Sequence, residues 1–329
     1  MAASQATTQN GVPSVLVTGA AGFVGANLIR RLVRDGHQVT GVLQPGGEPW
    51  RVAGLDHAAR FVEVDLLQDE AVRQLVDDCR PSWVFHLAAY GAYSWQTDVR
   101  RMMATNVSGT VGLVDACRDV GCAAFIHAGS SSEYGLKEQP PSEEAAIEPN
   151  SPYAVSKAAA TMYCRQAARA DAFPAVTLRL YSVFGPYEDP RRLVPALVVN
   201  ALRDQLPPLV DPDVARDFVW VDDATAAFVL AAERAGDHVG AIYNVGSGVQ
   251  TTVGDLVTRA RRVLKVRAEP AWGSMPRRSW DTTCWVADPS RIAAELGWKP
   301  QTTIDDGLAQ TSAWLNGSRE VWGVYGVGG

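Results

Sequence analysis

The chain has 329 residues, enough for one large or two modest domains, and its 47% hydrophobic and 20% charged content suits a globular protein with a sizeable core. A net charge of −6 disfavours nucleic acid and anionic membranes as partners, and no apolar run is long enough to span a bilayer. Five cysteines (Cys79, Cys117, Cys122, Cys164, Cys284) lie scattered without metal or redox spacing, which points to reduced thiols in a cytoplasmic protein.

In chain order, residues 1–11 are polar, lack a signal pattern and read as a disordered tail. A short apolar run at 12–17 is a first strand; a glycine-rich turn follows, then helical periodicity over 26–34. Strands are expected at 38–43 and 59–64 and a helix at 70–79. The run 83–88 is apolar enough to be a strand buried on both faces. A long helix over 98–120 closes at Gly121, followed by a strand at 124–128, a helix at 152–170 and a strand at 175–180. This alternation predicts an α/β fold with a doubly wound parallel sheet. Beyond Phe184, stretches rich in Pro, Gly and charge separate helices near 193–202, 222–234, 253–264 and 290–296. They predict a smaller, discontinuous α/β lobe. Residues 12–184 plus about 216–248 are assigned to a dinucleotide-binding domain, and about 185–215 plus 249–329 to a substrate-binding lobe.

The turn carries Gly19-x-x-Gly22-x-x-Gly25, with Phe23 and Val24 inside it, between a strand and a helix. Glycines allow close approach of a pyrophosphate, and the helix N-terminus supplies N–H groups and partial positive charge. An acid at the end of the second strand would hold the ribose hydroxyls of NAD. That place holds neutral Gln44, and Arg51 lies near enough in sequence to pair with a 2′-phosphate, so NADP is expected, with NAD as the alternative. Tyr153 and Lys157 are four residues apart and share a helix face. A phenol beside a fixed cation ionises more readily and can exchange a proton with a hydroxyl or carbonyl. His86 and His127 fall on strands without partners at ligand spacing; they read as core or groove residues and no metal is expected.

The segments TGAAGFVG (18–25), VDLLQ (64–68), HLAA (86–89), TNVSGT (105–110), GSSSEYG (129–135), SPYAVSK (151–157), RLYSVFGP (179–186), RDFVWVDDA (216–224), YNVGSG (243–248) and PRRSWD (276–281) together resemble the extended short-chain dehydrogenase/reductase family. The resemblance is to its NAD-dependent epimerase/dehydratase group, which acts on nucleotide sugars, and it covers about 12–314. It implies that Gly19, Gly22 and Gly25 bind the pyrophosphate and that Asp65 and Leu66 contact the adenine. Leu87, Ala88 and Ala89 would line the cofactor groove, Asn106 would brace the strand edge beside it, and Val183 would lie near the nicotinamide. Lys157 would hold the nicotinamide ribose and tune Tyr153. Ser130, four residues before Tyr134, takes the place of the hydroxyl that orients the reacting oxygen, with Ser131 the second choice in the serine run. Ser131, Ser132, Ser182 and Arg192 are assigned to the substrate. Arg216 and Arg278 would clamp its diphosphate. Trp280 stands where many relatives have glycine, either narrowing the site or packing in the core.

Three reactions compete. A 4,6-dehydratase would need an Asp-Glu pair directly after the serine, and those places hold Ser131 and Ser132, with Glu133 one step later. A 4-keto reductase consuming NADPH suits Gln44 and is the first expectation. A 4-epimerase with tightly bound NAD is the second. A non-catalytic cofactor-binding sensor is the reading from another class, and the intact Ser, Tyr and Lys argue against it. The family's habit of pairing the helices at 98–120 and 153–170 between subunits implies a homodimer.

Overall fold

The computed structural model describes residues 12–276, 278 and 281–327; the expected tail at 1–11 and Trp280 lie outside them. In chain order the first elements are β1 (Ser14–Thr18), α1 (Phe23–Arg34), β2 (Gln38–Leu43), β3 (Arg60–Glu63), α2 (Asp69–Cys79), β4 (Trp83–His86), α3 (Val99–Met103), α4 (Gly109–Val120) and β5 (Ala124–Ser130). Then come α5 (Pro152–Asp171), β6 (Ala175–Leu180), β7 (Ser182–Phe184), α6 (Leu193–Ala201), β8 (Ala215–Trp220), α7 (Val221–Glu233) and β9 (Ile242–Val245). The last are β10 (Gln250–Thr252), α8 (Val253–Leu264), α9 (Ser290–Leu296), α10 (Ile304–Gly317) and α11 (Trp322–Tyr325).

Seven parallel strands form one sheet in the order β3-β2-β1-β4-β5-β6-β9. The order reverses between β1 and β4, which opens a crevice at the carboxyl ends where open α/β sheets bind ligands. β5 is buried along its whole length because helices cover both faces. On one face Leu28 and Ile29 of α1 pack with Ala227 and Phe228 of α7; on the other Leu75, Leu113 and Cys164 join α2, α4 and α5. A second sheet, β10-β8-β7, has β8 parallel to β7 and antiparallel to β10. Phe184, Leu197, Trp220, Leu256 and Leu308 make its own core with α6, α8 and α10.

Several edges differ from the sequence reading. β4 ends at His86, because Leu87 and Ala88 leave the ladder to pass against Gly19. The long helix is broken by a π segment at Ala104–Ser108. β8, β9, β10, α10 and α11 gave no usable periodicity: β8 carries Arg216 and Asp217, and β9 is four residues long with Asn244 inside it. Residues 216–248 contribute to both sheets, β8 to the small one and β9 to the large one. Asp217 explains its own burial: Oδ1 accepts from Ser247 N and Oγ, and Oδ2 from Gly248 N and Ala287 N. Among the described residues, no helix is long and apolar enough to cross a membrane.

Candidate active site

At the end of β1 the chain turns at Gly19 with φ +68°, a conformation that L side chains rarely adopt. A Cβ on Gly25 would sit 2.2 Å from Gly19 O, one on Gly22 3.0 Å from the same atom, and one on Gly19 2.7 Å from Ala88 N. The backbone therefore packs on itself and on the Leu87–Ala88 segment. α1 opens at Gly22 with no side-chain cap and no acidic residue in its first turn. Its amide ends and dipole suit an anion, and the cradle fits a dinucleotide pyrophosphate. The side chains of Phe23 and Val24 pack against the cores, so their amides are what they offer to an anion.

Gln44 is exposed at the end of β2. Arg51 is held in a short turn, its guanidinium over the Trp50 ring; Nε donates to Tyr187 O at 2.7 Å and Nη1 to Ala21 O at 3.3 Å. A 2′-phosphate would compete with those two carbonyls. Asp65 is half-buried and accepts from Leu67 N through Oδ1, while Leu66 is buried in the α2–α4 core. Leu87 and Ala88 are half-buried and Ala89 is exposed.

Ser151 caps α5 by accepting from Ala154 N, and Pro152 occupies the first turn. That start places Tyr153 on the rim of the crevice, half-buried, and Lys157 one turn deeper at 3% exposure. Burial pushes the Tyr153 phenol up to about 12, opposed by the Ser130 hydroxyl. Burial brings the Lys157 ammonium down to about 8, opposed by Glu133. After burial and Ser130, the main influences on Tyr153 are Glu133, Arg192 and Tyr93; the expected tuning by Lys157 is not among them. Ser130 closes β5 and is buried; its Oγ donates to Ser132 Oγ at 3.1 Å and accepts from Ser132 N at 3.2 Å. Ser131 is buried and Ser132 half-buried. Glu133 is wholly buried, with Oε1 accepting from Ser130 N and Thr161 Oγ1 and Oε2 accepting from Arg179 Nε at 2.8 Å.

A buried hydrogen-bond chain links the glycine turn to α5. Thr18 Oγ1 meets His86 Nδ1 at 2.7 Å, and His86 Nε2 meets Thr110 Oγ1 at 2.9 Å. Thr110 donates to Asn106 O, so the neutral imidazole donates from Nε2 and accepts at Nδ1. Burial holds His86 down to about 3, so it stays neutral. Asn106 Nδ2 donates to Tyr90 O and to Ser156 Oγ, and its Oδ1 accepts from Tyr90 N. Ser156 Oγ donates to Tyr153 O at 2.7 Å. Asn106 therefore braces the crevice edge and the start of α5.

In the second sheet Ser182 and Val183 lie half-buried on β7, paired with Phe218 and Val219 of β8. Arg216 Nη2 donates to Asp281 Oδ1 at 2.8 Å, and Arg278 N donates to Asp281 Oδ2 at 2.9 Å. Burial lowers Arg216, and Asp281 opposes that loss while Arg192 and Arg278 add to it. Three guanidinium groups thus share one region, an arrangement suited to a diphosphate. Arg192 is exposed, its Nε 3.6 Å from Glu188 Oε1. Sequence reasoning left Glu133, Glu188 and Asp281 out of the site. Glu188 is buried, which pushes its carboxyl up to about 8. The available signal for Glu133 was Arg179, a charge inside an otherwise apolar strand that requires a buried partner.

A model of the NAD dependent epimerase/dehydratase family matches residues 15–246. The chain is 35% identical over 306 residues to a UDP-glucose 4-epimerase of Mycolicibacterium smegmatis, covering 90% of this chain and 96% of that one. It is 30% identical over 340 residues to a dTDP-glucose 4,6-dehydratase of Xanthomonas campestris pv. campestris, covering 95% of each. Its structure resembles a UDP-glucuronic acid 4-epimerase from Bacillus cereus solved with UDP-glucuronic acid and NAD, at a TM-score of 0.82 and 26% identity over 92% of this chain and 99% of that one. The Rossmann-like parallel sheet with a glycine turn after β1 is the architecture of NAD-dependent enzymes that act on nucleotide sugars. The chain belongs to the NAD dependent epimerase/dehydratase family of enzymes.

Proposed function

We propose that the chain is an NAD-dependent 4-epimerase of a nucleotide-linked sugar. The observation that carries the choice of NAD is the engagement of Arg51 by two backbone carbonyls, and the residues after Ser130 argue against dehydration. Hydroxyls of Ser131 and Ser132 stand where a dehydratase needs an acid and a base, and the carboxylate of Glu133 is buried on Arg179. Tyr153 is left as the proton-exchanging group beside Ser130. One such group serves reversible oxidation of a carbinol; removing water across two carbons needs more. The engagement of Arg51 with two carbonyls weakens the argument for NADP, and the relative found with NAD supports NAD. The reductase expected first therefore gives way to the epimerase expected second. Exposed, neutral Gln44 favours the NADPH-dependent 4-keto reductase, which stands as the second reading.

Bound nicotinamide supplies hydride acceptance and return. Tyr153 takes the proton of the C4 hydroxyl and later returns it. Ser130 hydrogen-bonds the same oxygen and opposes the effect of burial on the Tyr153 phenol, while Lys157, one turn deeper on α5, is placed to hold the nicotinamide ribose. Arg216 and Arg278, with Arg192, hold the diphosphate, while Ser131, Ser132 and Ser182 meet the sugar. Exposed Val99 and Met103 on α3 and Val155 and Met162 on the adjacent α5 support a homodimer through this face. Five free thiols support a cytoplasmic location, and the small sheet with its own core supports a two-lobe division.

The test is incubation with UDP- and dTDP-linked sugars and their 4-keto-6-deoxy forms, with NAD, NADH or NADPH. Inversion at C4 without net change in nicotinamide absorbance is expected; stoichiometric loss of NADPH overturns the epimerase. Tyr153→Phe is expected to lower turnover about 10³-fold while calorimetry shows unchanged NAD binding.

A further inference from the structure

We propose that Glu133 is a positioning residue of this site: its buried carboxylate, paired with Arg179, fixes the backbone of Ser130 and, held by Thr161, sets a negative charge one helical turn from Lys157. The inference rests on the reading of Ser130, Tyr153 and Lys157 as the reacting set.

Glu133 lies in the short turn Ser131–Tyr134 that follows β5. The Ser130 side chain caps that turn, and Glu133 reaches back to the Ser130 amide at 2.8 Å, so a capping box closes on the serine itself. Thr161, one turn beyond Lys157 on α5, donates to the same carboxylate oxygen at 3.0 Å. Arg179 on β6 donates to the other. Three elements, β5, α5 and β6, meet on one carboxylate. Gly129 leaves it room, since a Cβ there would stand 2.9 Å from Glu133 Oε1.

The groups facing this region are His86 on β4, His127 on β5, Tyr153, Lys157 and Cys164 on α5, Arg179 on β6 and Tyr134 in the turn, with Glu143 beside Tyr134. Arg192 and Tyr93 face Tyr153 from the crevice side. Burial keeps both imidazoles neutral and holds the Cys164 thiol up to about 12. Glu133 is the carboxylate that opposes the burial of Lys157, and it also holds up the Tyr153 phenol. Removing its charge lets Lys157 lose its proton, and Tyr153 ionise, at lower pH. Both limbs of the pH–rate profile then move together toward acid; a purely structural loss would lower the rate without moving them.

The chain carries four lysines, Lys137, Lys157, Lys265 and Lys299, so ¹³C-lysine NMR can follow Lys157 directly, assigned through Lys157→Arg. Glu133→Gln is expected to lower the Lys157 midpoint by about one pH unit and to shift the pH optimum of sugar conversion the same way. Glu133→Asp keeps the charge but withdraws from the Ser130 amide. Its midpoint is expected to stay at the wild-type value while kcat falls about tenfold and NAD affinity holds. Glu133→Gln/Arg179→Met does not leave the Arg179 guanidinium buried without its partner and carries the lowered midpoint where the single variant does not fold. An unmoved midpoint in these charge-removing variants overturns the role of that charge, and wild-type kcat in Glu133→Asp overturns the pinning. Retained turnover in Tyr153→Phe overturns the underlying reading and this proposal with it; lost turnover there with an unmoved midpoint overturns this proposal alone.

Discussion

Lys157 carries its charge at a cost in stability. Its ammonium titrates near 8 in the folded chain against an ordinary value of 10.5. Below pH 8 it is charged in both states, and the penalty for burying it is fully present. Between about 8 and 10.5 the unfolded chain binds the proton and the folded chain does not, so stability rises by about 3 kcal/mol across that window. Lys157→Met removes the penalty. The variant is expected to be more stable than wild type at pH 7, with the difference closing as pH approaches 10.5 in denaturant melts, and to be inactive. Such a trade marks a residue kept for chemistry. Tyr153 and Lys157 were legible in sequence because their relation is a single helical turn. Glu133 was visible as a residue but its direction was not, because its ion-pair partner Arg179 lies 46 residues away.

At the scale of elements, the turn between β1 and α1 is the least tolerant segment of the site. A methyl on Gly25 meets the Gly19 carbonyl at 2.2 Å, and that partner is backbone. Gly25→Ala is expected to cost about 1–3 kcal/mol of stability and to abolish measurable NAD binding by calorimetry. Gly317→Ala, at the end of α10 with nothing within 4 Å, is the control and should leave both unchanged. The strand–turn–helix pattern made this turn readable. β8 escaped because Arg216 and Asp217 break its apolar pattern. Asp217 accepts four hydrogen bonds from the turn at 247–248 and from Ala287, partners that no local pattern reveals.

At the scale of the whole molecule, α3 and α5 present Val99, Met103, Val155 and Met162 to solvent, with Met162 61% exposed. Val155 and Met162 are seven residues apart on α5 and so share one face. Met162→Glu is expected to shift a dimer to monomer in sedimentation velocity, with the far-UV spectrum unchanged; a dimer that persists places the interface elsewhere. The sequence by itself determined the sheet class, the glycine turn and the shared helix face of Tyr153 and Lys157, because each depends on spacings of a few residues that backbone geometry translates directly. Only the tertiary structure decided that Arg51 is engaged by Ala21 and Tyr187, that Glu133 turns into the core, and that Asp281 holds Arg216 from 65 residues away. Those contacts form where separate elements pack against one another, and the burial and pairing of a charge depend on that packing more than on its neighbours in the chain.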